Sequence, residues 1–222
     1  MARSQAEKAQ TRERILTEAA SQIREAGLES VSVARLMNSV DLTHGGFYNH
    51  FESRADLLVQ ALERALLDGA ARGQSMRDSG RPESFETFVK HYLSRGHRDA
   101  RKEGCALAAL ASDVARADEQ VRAVMQHRFE AFVDHLEDTM TSSRAATRGN
   151  EPARSSEPAR SNDATRSSEP PRSSEPPRSN DHAQALTAAC TLIGGLLMAR
   201  VLTDTRQSDA LLKTLRQQLG TG

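Results

Sequence analysis

The sequence offers little that would reveal a partner through charge or cysteine content. Lysine plus arginine number 30, aspartate plus glutamate also number 30, and the formal net charge is zero. Overall charge therefore argues neither for nor against a nucleic-acid partner, and any such case depends on motifs. Only two cysteines occur, Cys105 and Cys190, far apart and without paired metal-ligand spacing. This excludes a disulfide framework and favours reduced thiols in a cytoplasm.

Catalytic and targeting signals are also missing. The chain has no GxSxG motif, Walker loop, dinucleotide fingerprint or plausible catalytic triad. Its seven histidines are scattered, without cysteines or carboxylates at metal-ligand spacing. An enzyme is the main alternative class, but we expect no catalysis, no cofactor and no metal. The charged N-terminus, MARSQAEKAQTRERI, lacks the apolar region of a signal peptide, and we expect a cytoplasmic protein.

One apolar segment, Ala183 to Leu202, is about long enough to cross a bilayer. It also contains Arg200, several polar side chains and Gly194-Gly195. A membrane anchor and a buried helix at an oligomer interface are both consistent with its length, and the polar residues favour the second. We therefore expect no membrane contact and a homodimer formed by this helix and a last amphipathic helix from about Ser208 to Gln218. In this interpretation the small residues of the segment permit close helix contact and the larger ones supply apolar area; they are Ala188, Ala189, Gly194, Gly195 and Ala199, and Leu192, Ile193, Leu196, Leu197 and Val201.

Helical periodicity dominates the rest of the chain. Apolar residues recur at three- and four-residue steps from residue 8 to residue 140, and no segment shows the alternation of a strand. From about 141 to 181 the composition changes to repeats of the RSSEPxRS type without Leu, Ile, Val, Phe or Met. Such a segment cannot offset its ordering entropy and is predicted to be a disordered insertion. The sequence predicts an all-α protein with a DNA-binding domain at residues 1–52 and a helical domain at residues 53–222.

Residues 8–50 have the pattern of a helix-turn-helix. A long first helix precedes a short helix that begins after Ser32, and a tight turn at residues 40–42 leads to a third helix that begins at Thr43. The third helix contains Gly45 and Gly46, which weaken a helix but let its backbone approach another surface. Its remaining polar tips suit the major groove and phosphates of double-stranded DNA. A capping box, Ser53-Arg54-Ala55-Asp56, opens the next helix and presents Arg54 and a helix N-terminus to a phosphate.

The segment SVSVARLMNSVDLTHGGFYNHFESRADLL closely resembles the signature of the TetR/AcrR family of repressors. The resemblance covers about residues 8–66 and implies an all-helical dimer that reads a palindromic operator and binds an unknown small-molecule effector. By matching positions it implies that Thr43, His44, Gly45 and Gly46 face bases and that Tyr48, His50 and Arg54 contact phosphates. The full set of predicted DNA contacts is Thr43, His44, Gly45, Gly46, Tyr48, Asn49, His50 and Arg54. The family usually has glycine in the turn, where this chain has Asp41, a residue that tolerates left-handed geometry better than most.

The C-terminal half offers a less specific signal. Two aromatic stripes at helical spacing are compatible with a packed core or with an apolar effector pocket. Cys105 follows Arg101, Lys102 and Gly104 at the expected start of a helix, an environment that favours a reactive thiolate; some electrophile-responsive members of the resembled family carry a Gly-Cys at a comparable place. Burial as a small apolar residue is the alternative for Cys105. The candidate effector or redox residues are Cys105, Phe88, His91, Tyr92, Phe129 and Phe132.

These observations predict a transcriptional repressor that a small molecule or a reactive electrophile releases from its operator. The alternative is a helical adaptor that binds protein partners through the Pro/Arg/Ser-rich insertion.

Overall fold

The computed structural model describes residues 5–77, 84–148 and 180–220, and all regular structure within these ranges is helical. The all-α prediction is confirmed. The nine α-helices of the described ranges are α1 (Gln5–Ala26), α2 (Val33–Ser39), α3 (Arg54–Arg77), α4 (Phe85–Tyr92), α5 (Arg95–Asp99), α6 (Ala106–Val114), α7 (Glu119–Arg148), α8 (Asn180–Val201) and α9 (Thr205–Gly220). Two 3₁₀ helices supplement them, Leu28–Ser30 and His44–Asn49, and the second is called the reading helix below.

The N-terminal helices share one core. The apolar stripe of α1 is fully buried and packs mainly against α3, which contributes Leu57, Ala61 and Leu62. The same core extends into α6 through Leu110 and reaches Met125 of α7. The helix-turn-helix is therefore not packed as an isolated unit, because part of its core is supplied by helices that follow it in the chain.

A left-handed residue forms the turn between α2 and the reading helix. Asp41 has a φ of 59°, the only positive φ among non-glycine residues of the described ranges. The backbone N–H of Leu42 then donates to the Met37 carbonyl over 2.9 Å and closes the end of α2. This geometry usually requires glycine, and aspartate is one of the few other residues that adopts it at modest cost.

The C-terminal helices pack around α8, which lies against α7 and α9. The second core cluster includes Leu136, Leu192, Leu196 and Leu212. Helix α8 is long and apolar enough to cross a membrane by length and composition, and 39% of its most apolar window is buried inside the protein.

The predicted role was wrong for four of the five small residues of α8, all except Gly194, which has open space around it. Ala188, Ala189, Gly195 and Ala199 are buried inside the protomer, together with Leu192 and Leu196, which had been assigned to the dimer surface. A side chain at Gly195 would meet the Leu215 side chain of α9, so glycine here permits close packing within one chain. The periodicity of an almost uniformly apolar helix did not indicate which face is covered by its own chain.

The predicted insertion is shorter at both ends than residues 141–181. Helix α7 continues through residues 141–148 and α8 begins at Asn180. The guanidinium of Arg144 bonds to Asp181 and Gln184, so a polar contact joins the two helices where large apolar side chains are lacking. Residues 149–179 lie outside the described ranges.

Candidate DNA-reading surface and signal site

The reading helix is fixed from its inner side by one aromatic ring. Phe47 is 1% exposed, and its ring stacks on the Phe51 ring at a centroid distance of 5.5 Å. The guanidinium of Arg12 lies over the Phe51 ring, 5.2 Å from its centroid. A six-residue 3₁₀ helix has few internal hydrogen bonds, so these rings and α2 hold its orientation.

The outer face of the reading helix is polar and open. Thr43, His44, Gly45 and Asn49 are exposed, whereas Gly46 and His50 are half-buried. Tyr48 is 66% exposed. Its ring meets the Phe47 ring in an edge-to-face arrangement with a centroid distance of 5.2 Å. The structure thus places the predicted contact residues of this helix together on one short segment.

The two glycines of the reading helix differ in their surroundings. A Cβ at Gly45 would meet nothing within 4 Å, so no neighbour within the protein requires glycine there. A Cβ at Gly46 would make ordinary contact with Thr43 and Met37. Glycine at position 45 therefore adds no side chain to the outer surface of the reading helix, and another molecule can approach the backbone closely.

The helix caps differ in part from those predicted. The Ser53 hydroxyl accepts from the Asp56 N–H over 3.0 Å, as a capping box requires, but the Asp56 carboxylate accepts from Glu52 N–H instead of Ser53 N–H. Ser32 and Thr43 precede their helices in extended conformation without a side-chain capping bond. The boundaries were predicted well even where the capping bonds were not.

Much of the Arg54 guanidinium is engaged in contacts within the protein. Its Nε donates to the Val31 carbonyl over 3.0 Å, and one Nη pairs with the Glu29 carboxylate at 3.1 Å. Its side chain is 38% exposed, so solvent and a phosphate both retain access to it. These bonds connect α3 to the turn between α1 and α2, a role that the sequence did not indicate.

We expect Arg54→Met to lower the free energy of unfolding by about 1–2 kcal/mol, because the Val31 carbonyl loses its donor. Urea titration followed by circular dichroism measures this change. A phosphate contact by the same guanidinium would also lower the slope of log affinity against log salt by about one. Unchanged stability would contradict the anchoring role, and an unchanged slope would contradict the phosphate contact.

Apart from Cys105, the predicted effector residues separate into three groups. Phe88, Tyr92 and Phe132 form one ring cluster, with centroid distances of 5.8 to 6.0 Å. Phe129 is half-buried and packs against both core clusters. His91 is exposed on α4. A separate cleft of about 280 Å³ lies beside Arg200 and is lined largely by polar residues of α5, α8 and α9.

Cys105 caps α6 at the junction of the two core clusters. It is half-buried, and it packs against both clusters. Its backbone N–H donates to His97 Nε2 over 3.0 Å, and His97 Nδ1–H donates to the Tyr92 carbonyl over 2.7 Å. These two bonds hold His97 in its neutral Nδ1–H tautomer and tie the start of α6 to the end of α4.

Two further side chains surround the Cys105 thiol. Burial raises the pKa of Tyr92 well above its ordinary value, and the neighbouring Cys105 thiol adds to this effect. Burial lowers the pKa of Arg200, whose guanidinium donates to the carbonyls of His97 and Arg98 over 3.0 and 3.1 Å. The neighbouring Cys105 acts on the pKa of Arg200 in the opposite direction. Arg200 lies 95 positions away in sequence, and no local pattern associates it with the thiol.

The cations that precede Cys105 turn toward α1. Arg101 donates to the Glu25 carbonyl over 3.3 Å, and Lys102 pairs with the Glu25 carboxylate at 3.4 Å. Sequence proximity had suggested that they act on the thiol. The described ranges contain no group of three His, Cys, Asp or Glu residues placed to hold a metal ion.

Comparisons with known proteins agree with this geometry. Residues 15–61 match the family model of bacterial regulatory proteins, tetR family. A TetR-family transcriptional regulator from Cytophaga hutchinsonii has a TM-score of 0.71 and 13% identity, with 99% of this chain and 98% of that chain covered. Reduced NemR from E. coli has a TM-score of 0.65 and 17% identity, with 95% of each chain covered. A TetR-family regulator from Agrobacterium tumefaciens has a TM-score of 0.66 and 18% identity, with 95% and 98% covered. No curated protein matches the chain.

Proposed function

We propose that the chain is a homodimeric repressor of the TetR family that a reactive electrophile releases from its operator, because residues 15–61 match the family model and the whole chain shares the fold of TetR-family regulators. DNA-binding regulation and dimer formation follow from the family. The repressor role, the signal and the individual contacts are the proposal. We further propose that the protein acts in the cytoplasm, where its two cysteines stay reduced.

The polar outer face of the reading helix is the observation that carries the proposal. A helix of six residues that exposes Tyr48 while burying Phe47 contributes little to the core beyond one anchor. Its exposed polar tips match what a major groove offers, namely base edges flanked by phosphates. We assign base contacts to Thr43, His44, Gly45 and Gly46 and backbone contacts to the residues that follow, which are Tyr48, Asn49, His50 and Arg54.

Exposed apolar residues on α8 support a dimer. Leu186, Leu197, Met198 and Val201 are 37 to 58% exposed although they are large and apolar. A second copy of the chain covers such a surface through a symmetric contact of α8 with its partner helix. Two reading helices, each on one half-site of a palindrome, then supply the affinity that one short helix lacks.

The position of Cys105 supports a thiol signal. The residue packs against both the core shared with the reading helix and the core around α8. A group added to its sulfur must displace one of these clusters, because packed interiors accept extra volume only by rearrangement. The dimer with a modified thiol would then favour a spacing of its reading helices that does not fit the operator.

We expect Tyr48→Phe to weaken DNA binding about five- to tenfold at moderate salt, because one charge-assisted hydrogen bond to a phosphate is lost. The duplex is one that the wild-type protein selects from a random library, and fluorescence anisotropy at fixed salt measures the affinity. The loss should be similar for sequences of high and low affinity, since a phosphate contact does not depend on the base.

Stability provides the control for this variant, because an exposed hydroxyl contributes little to folding and the unfolding transition should not move. Unchanged affinity would contradict the phosphate role of Tyr48. Failure of the wild-type dimer to select any duplex would contradict the proposed function itself.

A further inference from the structure

Arg24 is a buried cation at the end of α1 that the DNA-reading role does not use. Its side chain is 3% exposed, although it carries a full charge. One Nη donates to the Ala65 carbonyl over 3.3 Å and pairs with the Asp68 carboxylate at 3.2 Å, both on α3. The Nε donates to the carbonyl of Lys102. The guanidinium therefore joins α1, α3 and the connection between α5 and α6.

The connection between α5 and α6 is the segment that leads to Cys105, and residues 100–105 are called the thiol loop here. Besides the Arg24 bond, the thiol loop contacts α1 through Arg101 and Lys102, and both of these contacts end on Glu25. These two side chains are exposed, so solvent screens their interactions with α1. The Arg24 bond to Lys102 is thus the part of this junction that is shielded from water.

Helix α1 connects this junction to the turn before the reading helix. Arg14, on the same helix, donates to the Val40 carbonyl over 2.9 Å, directly before the left-handed residue Asp41. Ten residues of helix separate Arg14 from Arg24, a distance of about 15 Å along one rigid element. A displacement of the thiol loop is therefore transmitted through α1 to the turn between α2 and the reading helix.

We propose that Arg24 is the coupling residue between the thiol loop and the DNA-reading helices. The proposal rests on the proposed function for its biological signal, since it concerns how a change at Cys105 reaches the operator contacts. With the Lys102 carbonyl in place, the guanidinium has partners on α3 and on the thiol loop and holds both against α1 in one arrangement. When the thiol loop moves, a buried donor loses its acceptor, and α1 follows the loop or shifts against α3.

Thermodynamic reciprocity makes this coupling measurable without knowing the natural signal. If two states of the thiol loop differ in DNA affinity, bound DNA must shift the equilibrium between them. The alkylation rate of Cys105 by N-ethylmaleimide reports on the loop, because the residue lies at its end and is half-buried. Mass spectrometry of the Cys105 peptide separates this reaction from alkylation of the exposed Cys190.

The experiment compares the alkylation rate of Cys105 in the full-length dimer with and without a duplex selected from a random library. We expect bound DNA to slow the reaction about tenfold in the wild type. Arg24→Lys keeps a cation for Asp68 but lacks the guanidinium fork that reaches Lys102, and the effect of DNA should fall to within about twofold. Arg64→Lys is the matched control, because Arg64 pairs with the same Asp68 at 2.8 Å and is not bonded to the thiol loop; it should retain the tenfold effect.

Each result decides the proposal. Equal DNA dependence in wild type and Arg24→Lys would overturn it, as would an equal loss in Arg64→Lys or the absence of any DNA dependence in the wild type. Circular dichroism establishes that each variant is folded, and Arg24→Gln replaces Arg24→Lys if the latter unfolds. Failure to select a duplex refutes the proposed function. A DNA dependence without release of DNA by electrophiles refutes the natural thiol signal and leaves the Arg24 coupling intact.

Discussion

Alkylation of Cys105 by N-ethylmaleimide is expected to weaken binding to a selected duplex about a hundredfold. The maleimide adds a rigid ring to a half-buried sulfur that packs against both core clusters. Two neighbours of Cys105 cannot easily move aside, since Tyr92 is buried and His97 is fixed by two hydrogen bonds. The added volume therefore shifts the equilibrium toward an arrangement with a displaced α6.

Cys105→Ser is the control for this prediction. Serine keeps the backbone bond to His97 and the approximate volume of the side chain but does not react with the maleimide. The serine variant should bind the duplex before treatment and stay bound after it. Cys190, which is exposed in the single protomer, is present in both proteins, so any reaction there affects both alike. Release of the serine variant would identify Cys190 as the responsive thiol, and retention by both proteins would assign Cys105 to packing.

The helix-turn-helix was predictable because its determinants are local. Helical periodicity, a polar third helix and an aromatic anchor at Phe47 all lie within a short segment, and the turn depends on the intrinsic tolerance of Asp41 for positive φ. In the structure, α2 and the reading helix begin within one residue of the predicted positions. Local sequence rules work here because one anchor and a short connection leave few alternative arrangements.

The signal site was predictable only in part because its contacts are not local. The position of Cys105 at the start of α6 follows from sequence, but its neighbours Tyr92 and Arg200 come from α4 and α8. The charges of Arg101 and Lys102 had been assigned to the thiol by proximity, yet their bonds lead to α1. Pairing of charges across a helical bundle depends on side-chain directions that spacing alone does not give.

The burial of Arg24 also depends on contacts that are distant in sequence. In sequence it is one of many charged residues of α1, and charged residues are usually exposed. Its burial depends on Asp68, the Ala65 carbonyl and the Lys102 carbonyl, which lie 41 to 78 positions away. The sequence predicted the helices but not which charged side chain lies between them.

The exposed apolar residues of α8 lead to the largest expected effect. Val201→Glu should convert the dimer to a monomer and weaken binding to a selected palindromic duplex about a thousandfold, to the range of non-specific binding. Val201 is 58% exposed in the protomer, so glutamate there should leave the fold of one chain unchanged. In a dimer that covers this surface, the carboxylate would lose its water without gaining a partner, which costs several kcal/mol.

Sedimentation velocity and fluorescence anisotropy on the same samples test this prediction, because the first measures the assembly and the second its consequence. Ala123→Glu, an exposed site on α7, is the matched control and should remain a dimer with full affinity. A monomeric Val201→Glu protein with full affinity would show that one reading helix suffices, contrary to the two-half-site argument. A dimeric Val201→Glu protein would place the interface elsewhere. Loss of dimer and loss of affinity together would establish that contact through α8 brings two reading helices to one operator, and the distance between them is the quantity that a signal at Cys105 must change.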